Sequence, residues 1–331
     1  AGAESNEAAF KIARYFWKRR GIPTKTKIIS RIHGYHGLTL AAMSATGMPV
    51  FHKMFAPTVP GFIHILPSYS YRYPGSGADA LEEAIRREGP ETVAAFIAEP
   101  VIGAGGVILP TADYFGKVRE ICARHQVLFI ADEVITGFGR TGRWFALDHW
   151  GVQPDIVTFA KAVTSAYLPL GGAMVSREIH QSILDAPAAE RFMHAGTYSG
   201  HPTCCAVGLA NLDIFEREHL VERAAAMGAR LQAGLQTLRD LPMVGEVRGL
   251  GLIAGIELVK DKTTKEPALG VAGKVLGEAR KRGLITRPRT GQGGDYPIGD
   301  TICLAPPLVI TEAQIDRIIE ILRASIPAAA S

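Results

Sequence analysis

Three stretches of the chain carry uninterrupted runs of apolar residues rather than an alternation of apolar and polar ones. They cover residues 92–98, 127–131 and 156–160. An uninterrupted apolar run of this length is typical of a strand that is buried on both faces of a parallel sheet. Residues 27–32 and 172–175 predict two further strands. The pattern therefore predicts a mostly parallel sheet in the first two thirds of the chain.

Helical periodicity separates these strands. In residues 4–20, apolar side chains recur near one face of a helix, and Gly21 ends the pattern. Further helices are predicted over residues 79–88, 111–124 and 202–217, the second of them with Thr111 as its amino-terminal cap. Strands that alternate with helices predict a doubly wound α/β fold, with helices flanking a mostly parallel central sheet.

The last third of the chain follows a different pattern. Residues 219–240, 269–282 and 311–326 predict amphipathic helices, whereas glycines divide residues 247–258 into strand-like pieces. The glycine-rich segment 291–295 is expected to form a loop. We therefore expect a large domain over residues 1–217 and a smaller carboxy-terminal α+β domain over residues 218–331.

The composition is that of a globular chain without a nucleic-acid or membrane role. Hydrophobic residues make up 47% of the 331 positions, charged residues make up 21%, and the formal net charge is +4. The positive charges are not clustered into the stripe that nucleic-acid binders need. No apolar run reaches the ~18 residues of a membrane span, and the start of the chain does not read as a signal peptide. A cytoplasmic location is expected.

No group of residues shows the spacing of a metal site, so no metal is expected. The cysteines lack a C-x-x-C pair and are expected to be buried free thiols in a reducing compartment. These are Cys122, Cys204, Cys205 and Cys303. His33 and His36 have no third ligand nearby in the sequence.

Two charged residues close buried strands. Asp132 directly follows the run 127–131, and Lys161 directly follows the run 156–160. Ligands of open α/β sheets bind at the carboxyl ends of the strands. An amine and a carboxylate at that edge suit a cofactor with an aldehyde and a pyridine nitrogen: the amine forms a Schiff base, and the carboxylate keeps the ring nitrogen protonated. Either residue alone is more simply explained as a solvated strand end.

The sequence around these two residues resembles the signature of class III aminotransferases, which are fold-type I enzymes that use pyridoxal 5′-phosphate (PLP). The motifs are DEVITGFGRTG at 132–142, TFAK at 158–161, YLPLG at 167–171 and GTYSGHP at 196–202. The resemblance covers essentially the whole chain and is greatest to the ω-amino acid or amine:pyruvate branch. Members usually carry on the order of a hundred residues ahead of this point, so the chain is expected to lack the usual amino-terminal segment.

The resemblance assigns roles to further residues. Tyr35 is expected to stack on one face of the PLP ring, and Val134 to pack on the other. Gly2 and Ala3 open the first helix, whose free N–H groups suit the phosphate. His36 and Glu99 are expected beside the cofactor. Thr197 matches a threonine that reaches the phosphate of the neighbouring subunit's cofactor, which implies a homodimer with its active site at the interface. Apart from the resemblance, an ion pair with Arg140 or Arg143 is an alternative role for a carboxylate here, and it suits Glu133 better than Asp132.

The resemblance says less about which residues bind the substrate. Arg287 matches an arginine that grips the carboxylate of a keto acid, and Arg289 is close enough in sequence to leave the assignment open. Trp144 is expected to line the substrate pocket, with packing in the core equally expected. Ala104 and Ile135 stand where relatives acting on ornithine or γ-aminobutyrate often have a glutamate and a glutamine. These differences favour donors without a second carboxylate.

The predicted function is PLP-dependent transamination from an amine or ω-amino acid to pyruvate or a similar keto acid. One alternative is an intramolecular aminomutase on the same scaffold, which would need no external acceptor. Another is a truncated dimer without catalytic activity. The presence of both Lys161 and Asp132 favours an active enzyme.

Overall fold

The computed structural model describes residues 1–75, 77–293 and 295–329. Its larger sheet has six strands in the order β2-β1-β3-β4-β5-β6. The first five pair in parallel and β6 runs antiparallel to β5, so the predicted mostly parallel sheet is confirmed. The strands are β1 Lys27–Arg31, β2 Phe62–Ile65, β3 Val93–Ala98, β4 Leu128–Asp132, β5 Ile156–Phe159 and β6 Gly172–Val175.

Helices cover both faces of this sheet, which explains why its central strands β3, β4 and β5 are almost entirely apolar. One core contains Phe96 and Phe129 with the helices α3 and α4, and the other contains Ile97 and Ile130 with α1. Neighbouring residues of a strand therefore enter opposite cores. The helices are α1 Gly2–Arg19, α2 Leu40–Ala45, α3 Asp79–Glu88, α4 Tyr114–Arg124, α5 Arg177–Leu184 and α6 Pro202–Arg217.

The second sheet is antiparallel and has its own core. Four of its strands lie in the order β10-β11-β8-β7, and β9 pairs with β8. The core is formed by alternate strand residues and three helices. These elements are α7 Leu220–Gln236, β7 Val244–Leu250, β8 Ile253–Asp261, β9 Glu266–Pro267, α8 Ala272–Lys281, β10 Arg287–Arg289, β11 Thr301–Leu304 and α9 Glu312–Ala328. Gly294 of the predicted loop, and the last two residues of the predicted carboxy-terminal domain, lie outside the described residues.

Three local predictions need correction. The helix expected over 111–124 begins only at Tyr114, and the Thr111 hydroxyl donates to the Asp113 carboxylate (2.8 Å) instead of capping the helix. The helix expected over 219–240 gives way to a tighter 3₁₀ turn after Gln236. All four cysteines are free, but Cys204 and Cys205 are only half-buried, because α6 is not enclosed on all sides.

Within the described ranges, no helix combines the length and the apolar character that a membrane crossing requires. The same residues contain no group of three or more His, Cys, Asp or Glu side chains arranged to hold a metal ion.

Candidate active site

The carboxyl ends of β4 and β5 meet the amino terminus of α1 at a cavity of about 380 Å³. This is the edge at which ligands bind in open α/β sheets. Eight residues predicted from the sequence line this one cavity: Gly2, Ala3, Tyr35, His36, Glu99, Asp132, Val134 and Lys161. Asn6, Gly37 and Ile135 also line it. The fold therefore brings together residues that are up to 160 positions apart in the chain, Ala1 and Lys161.

Lys161 is the first residue of a 3₁₀ turn that follows β5, and its side chain is exposed to the cavity. Its backbone has φ = 49°, in the left-handed region that costs a residue with a side chain about 1 kcal/mol or more. The cavity walls remove water from the amine and lower its pKa, against the opposing charges of Asp132 and Glu99. A lowered pKa makes the neutral, nucleophilic form of the amine more accessible.

Asp132 is buried and accepts three hydrogen bonds. Asn6 Nδ2 and His36 Nδ1 both contact Oδ2 at 2.8 Å, and the Val134 N–H donates to Oδ1 at 3.1 Å. His36, which also lines the cavity, therefore helps to hold this carboxylate. Asn6 was not predicted. The sequence feature that could have revealed it is its position: Asn6 is a polar residue on the apolar face of α1, together with Ala9, Phe10 and Ala13.

Glu99 connects two segments of the cavity wall. Its buried carboxylate accepts the Tyr35 N–H at Oε1 and the Gly103 N–H at Oε2, each at 2.9 Å. Burial raises the pKa of Glu99, and the nearby charge of Asp132 adds to this effect, while His36 and the two N–H groups oppose it. Glu99 therefore fixes the backbone that presents the Tyr35 ring.

The start of α1 packs closely against the cavity walls. A Cβ added to Gly37, which has φ = 124°, would lie 2.5 Å from the Ala3 Cβ. A Cβ added to Gly2 would lie 2.7 Å from Val134 Cγ1. Side chains at these two positions would push the helix amino terminus away from the walls, so the glycines let its N–H groups reach the cavity.

The structure separates the two arginines that the sequence left open. Arg287 is exposed on β10, and its Nη2 lies 3.5 Å from the Gly103 carbonyl oxygen, next to the cavity-lining Ile135. Arg289 is buried, with Nη1 donating to Thr290 O (2.7 Å) and Nη2 facing His33 Nδ1 (3.3 Å). Of the two, only Arg287 offers an accessible guanidinium near the cavity.

Three predicted residues, Arg287, Trp144 and Thr197, are not among the residues that line the cavity. Trp144 is partly buried and packs against Phe215, with ring centroids 5.9 Å apart, so the structure favours the packing role that the sequence had left open. Thr197 lies in an exposed turn. Its predicted contact is with the cofactor of a second subunit and stays a prediction.

Glu133 does not form the ion pair that was its alternative role. Its buried carboxylate accepts the Thr136 hydroxyl and the Leu147 N–H, while Arg140 donates to the carbonyl oxygens of Leu252 and Pro306. Burial raises the pKa of Glu133 to about 7, against the hydrogen bonds that it accepts.

This raised pKa predicts a stability that depends on pH. Between the ordinary value of 4.5 and about 7, Glu133 is ionised in the unfolded chain and protonated in the folded protein, so stability falls as pH rises through this window. The contribution is on the order of 3 kcal/mol, at about 1.36 kcal/mol per pKa unit. Glu133→Gln should flatten the dependence of the unfolding free energy on pH between 5 and 8, measured by denaturant titration. An unchanged slope would contradict this account.

Comparison with known proteins gives one consistent family. Residues 1–326 match the family described as aminotransferase class-III. The chain is 45% identical to the uncharacterized aminotransferase YhxA of Bacillus subtilis, over 98% of this chain and 73% of the relative. It is 42% identical to a putrescine–pyruvate aminotransferase of Pseudomonas aeruginosa, over 98% and 71%. An (S)-enantioselective omega-transaminase structure from Thermomicrobium roseum aligns with a TM-score of 0.93 at 47% identity, over 100% of this chain and 74% of that one.

Proposed function

The chain belongs to the class III aminotransferases, a PLP-dependent family, and from this premise we propose that it moves an amino group from an amine or ω-amino acid to pyruvate or a similar keto acid. The observation that carries the proposal is the convergence of the Lys161 amine and the Asp132 carboxylate on one cavity at the amino terminus of α1.

The residues present fit PLP. Its aldehyde needs an amine, its pyridine nitrogen needs an acid partner, its phosphate needs N–H donors, and its ring needs apolar walls. The cavity supplies Lys161, Asp132, the start of α1 with Gly2 and Ala3, and the side chains of Tyr35 and Val134. The close packing of Gly37 on Ala3 keeps the start of that helix against the cavity.

The roles of the side chains follow from their surroundings. When bound, PLP supplies an aldehyde that condenses with amines and a ring that withdraws electrons from the bond being broken. Lys161 Nζ would be the group that moves the proton of the donor's carbon, since its lowered pKa allows it both to accept and to give a proton. The Asp132 carboxylate, held by three donors, would keep the ring nitrogen of bound PLP protonated.

The acceptor carboxylate is assigned to Arg287. Its guanidinium is accessible, and Nη2 lies 3.5 Å from the carbonyl oxygen of Gly103, which packs beside the cavity-lining Ile135. The adjacent wall carries Ile135 and no acidic side chain at Ala104 that would neutralise this arginine. A carboxylate acceptor such as pyruvate and an uncharged donor side chain are thus both accommodated. The similarity to a putrescine–pyruvate aminotransferase also supports this choice of acceptor.

Arg287→Ala should weaken the use of pyruvate while sparing the first half-reaction with an amine that lacks a carboxylate. The loss should be about 1.5–3 kcal/mol, as for hydrogen bonds to a charged group, and should appear in KM for pyruvate. Arg287→Lys should recover little, because a point charge does not reproduce the planar fork.

Arg289→Ala is the matched control for this prediction. Because Arg289 is buried against His33, its removal should lower stability and leave the ratio of the two half-reaction rates unchanged. Stopped-flow measurement of both half-reactions decides the assignment. Equal slowing of both in Arg287→Ala would contradict it.

We also propose that the enzyme works as a cytoplasmic homodimer. Large apolar side chains are exposed on the surface, among them Met54 (80%), Tyr167 (83%) and Tyr198 (81%). Thr197, beside Tyr198, would then face the second subunit. The four free cysteines suit a reducing compartment. Sedimentation equilibrium should give the dimer mass, and a monomer mass at concentrations that support turnover would contradict the proposal.

A further inference from the structure

Asn6 lies at the centre of a buried hydrogen-bond network that joins three cavity segments. Its side chain is almost completely buried. Nδ2 donates to His36 O at 2.7 Å and to Asp132 Oδ2 at 2.8 Å, and Oδ1 accepts the Thr158 hydroxyl at 2.7 Å. A carbonyl and a carboxylate can only accept, so the orientation of the amide is defined by its neighbours.

Burying a polar amide at this position of α1 costs free energy. Asn6 falls on the stripe of α1 that otherwise packs Ala9, Phe10 and Ala13 into the core, where an apolar residue would fit without desolvating polar atoms. The amide is compensated only because both N–H groups and the carbonyl oxygen find partners. Its placement therefore serves those partners rather than the packing of α1.

The effect of Asn6 falls on the carboxylate of Asp132. A carboxylate has about four acceptor positions. Asn6 and His36 occupy Oδ2, and Val134 N–H occupies one position on Oδ1. The remaining acceptor position is on Oδ1, and the two donors on Oδ2 prevent the carboxylate from rotating away from it.

The same amide reaches β5, the strand that leads into Lys161. Thr158 is on β5, three residues before Lys161, and its hydroxyl is held by Asn6 Oδ1. The neighbouring Ser5 hydroxyl donates to the Phe159 carbonyl oxygen at 3.1 Å, which makes a second link between α1 and β5. The helix proposed to hold the phosphate is thereby tied to both charged residues of the site.

We propose that Asn6 is a positioning residue that directs the carboxylate of Asp132 toward the ring nitrogen of PLP. It also fixes the position of this carboxylate relative to β5, the strand that leads into Lys161. This inference rests on the proposed function, since it requires that Asp132 meet the ring nitrogen. Without Asn6, Oδ2 has one donor fewer and the carboxylate is free to turn away from the ring nitrogen. The ring nitrogen should then carry its proton for a smaller fraction of the time.

The test is the ¹⁵N resonance of PLP labelled at its ring nitrogen, bound to wild type, Asn6→Ala, Asp132→Asn and Asn211→Ala. Asn211 is the matched control: it is a buried asparagine whose amide holds Ala162 O and Val163 O, just after Lys161, without touching Asp132. We expect the resonance of Asn6→Ala to move from the wild-type position toward that of Asp132→Asn. The affinity for PLP should fall on the order of tenfold, as for loss of one hydrogen bond to a charged group. Asn211→Ala should keep the wild-type resonance.

An Asn6→Ala protein that melts at a lower temperature but keeps the wild-type resonance would overturn the inference, because Asn6 would then be purely structural. Equal displacement in Asn211→Ala would overturn it as well. If Asn6→Ala does not fold, Thr158→Val removes the donor to Asn6 Oδ1 while keeping the shape, and should move the resonance in the same direction by less. A wild-type resonance in Thr158→Val would also contradict the inference. Identical resonances in wild type and Asp132→Asn would instead contradict the proposed function itself.

Discussion

Lys161→Ala should reduce transamination by at least about 10³-fold while the protein remains folded. General acid–base catalysis alone contributes about 10²–10⁴-fold, and the variant loses the covalent link as well. The side chain opens into the cavity and supports no packing there, so the melting temperature of the cofactor-free protein should change little. The rate is measured with an amine donor and pyruvate, and nearly normal turnover would remove Lys161 from its role.

Lys25 offers the matched control for this variant, because burial lowers the pKa of both lysines. The Lys25 ammonium is buried and donates to the carbonyl oxygens of Pro90 (2.8 Å), Val93 (3.0 Å) and Gln126 (2.7 Å). Lys25→Ala should therefore lower the melting temperature and leave the folded fraction active. The opposite pattern, with stability lost in Lys161→Ala and activity lost in Lys25→Ala, would contradict the account.

Asp132→Asn should slow the half-reaction with an amine donor at least about a hundredfold while PLP still binds. A preorganised electrostatic interaction of this kind is worth about 3–4 kcal/mol. Asn6 and His36 both present donors to Oδ2, so they would hold the new amide with its oxygen at that position. The NH₂ group would then replace Oδ1 and point a donor, rather than an acceptor, at the ring nitrogen.

Stopped-flow absorbance in a single turnover measures this rate. The neighbouring Glu133→Gln changes an equally buried acid whose partners, Thr136 and Leu147, are not among the residues lining the cavity, so its half-reaction should stay within about threefold of wild type. An unchanged rate in Asp132→Asn, or equal slowing in both variants, would contradict the assignment to Asp132.

The central strands of the sheet and the two charged residues that follow them were predictable because local sequence patterns specify them. Uninterrupted apolar runs identify β3, β4 and β5, and a charge directly after such a run identifies Asp132 and Lys161. The strands β2, β9, β10 and β11 were not predicted. Of these, β2 has only four residues and contains His64, and β10 is Arg-Pro-Arg, which lacks strand-forming residues. Each is stabilised by its partner strand, which the local sequence does not reveal.

The contacts of Asn6 and Trp144 were not predictable for the same reason, since they depend on residues that are distant in the chain. The contacts of Asn6 with Asp132 and Thr158 span 126 and 152 positions of the chain, so its role depends on which strands pack against α1. Trp144 is close in sequence to the PLP motif, yet its ring packs beside Phe215 of α6. The division at residue 217 and the contact of Thr197 with a second subunit remain predictions.

The central claim is that Lys161 holds the cofactor, and peptide mapping after borohydride reduction tests it most directly. The protein is loaded with PLP, reduced, digested and examined by mass spectrometry. We predict that the peptide containing Lys161 carries the reduced pyridoxyl phosphate in a one-to-one ratio with protein, and that prior addition of an amine donor prevents the label. A label on another lysine, or none on any peptide, would contradict the account.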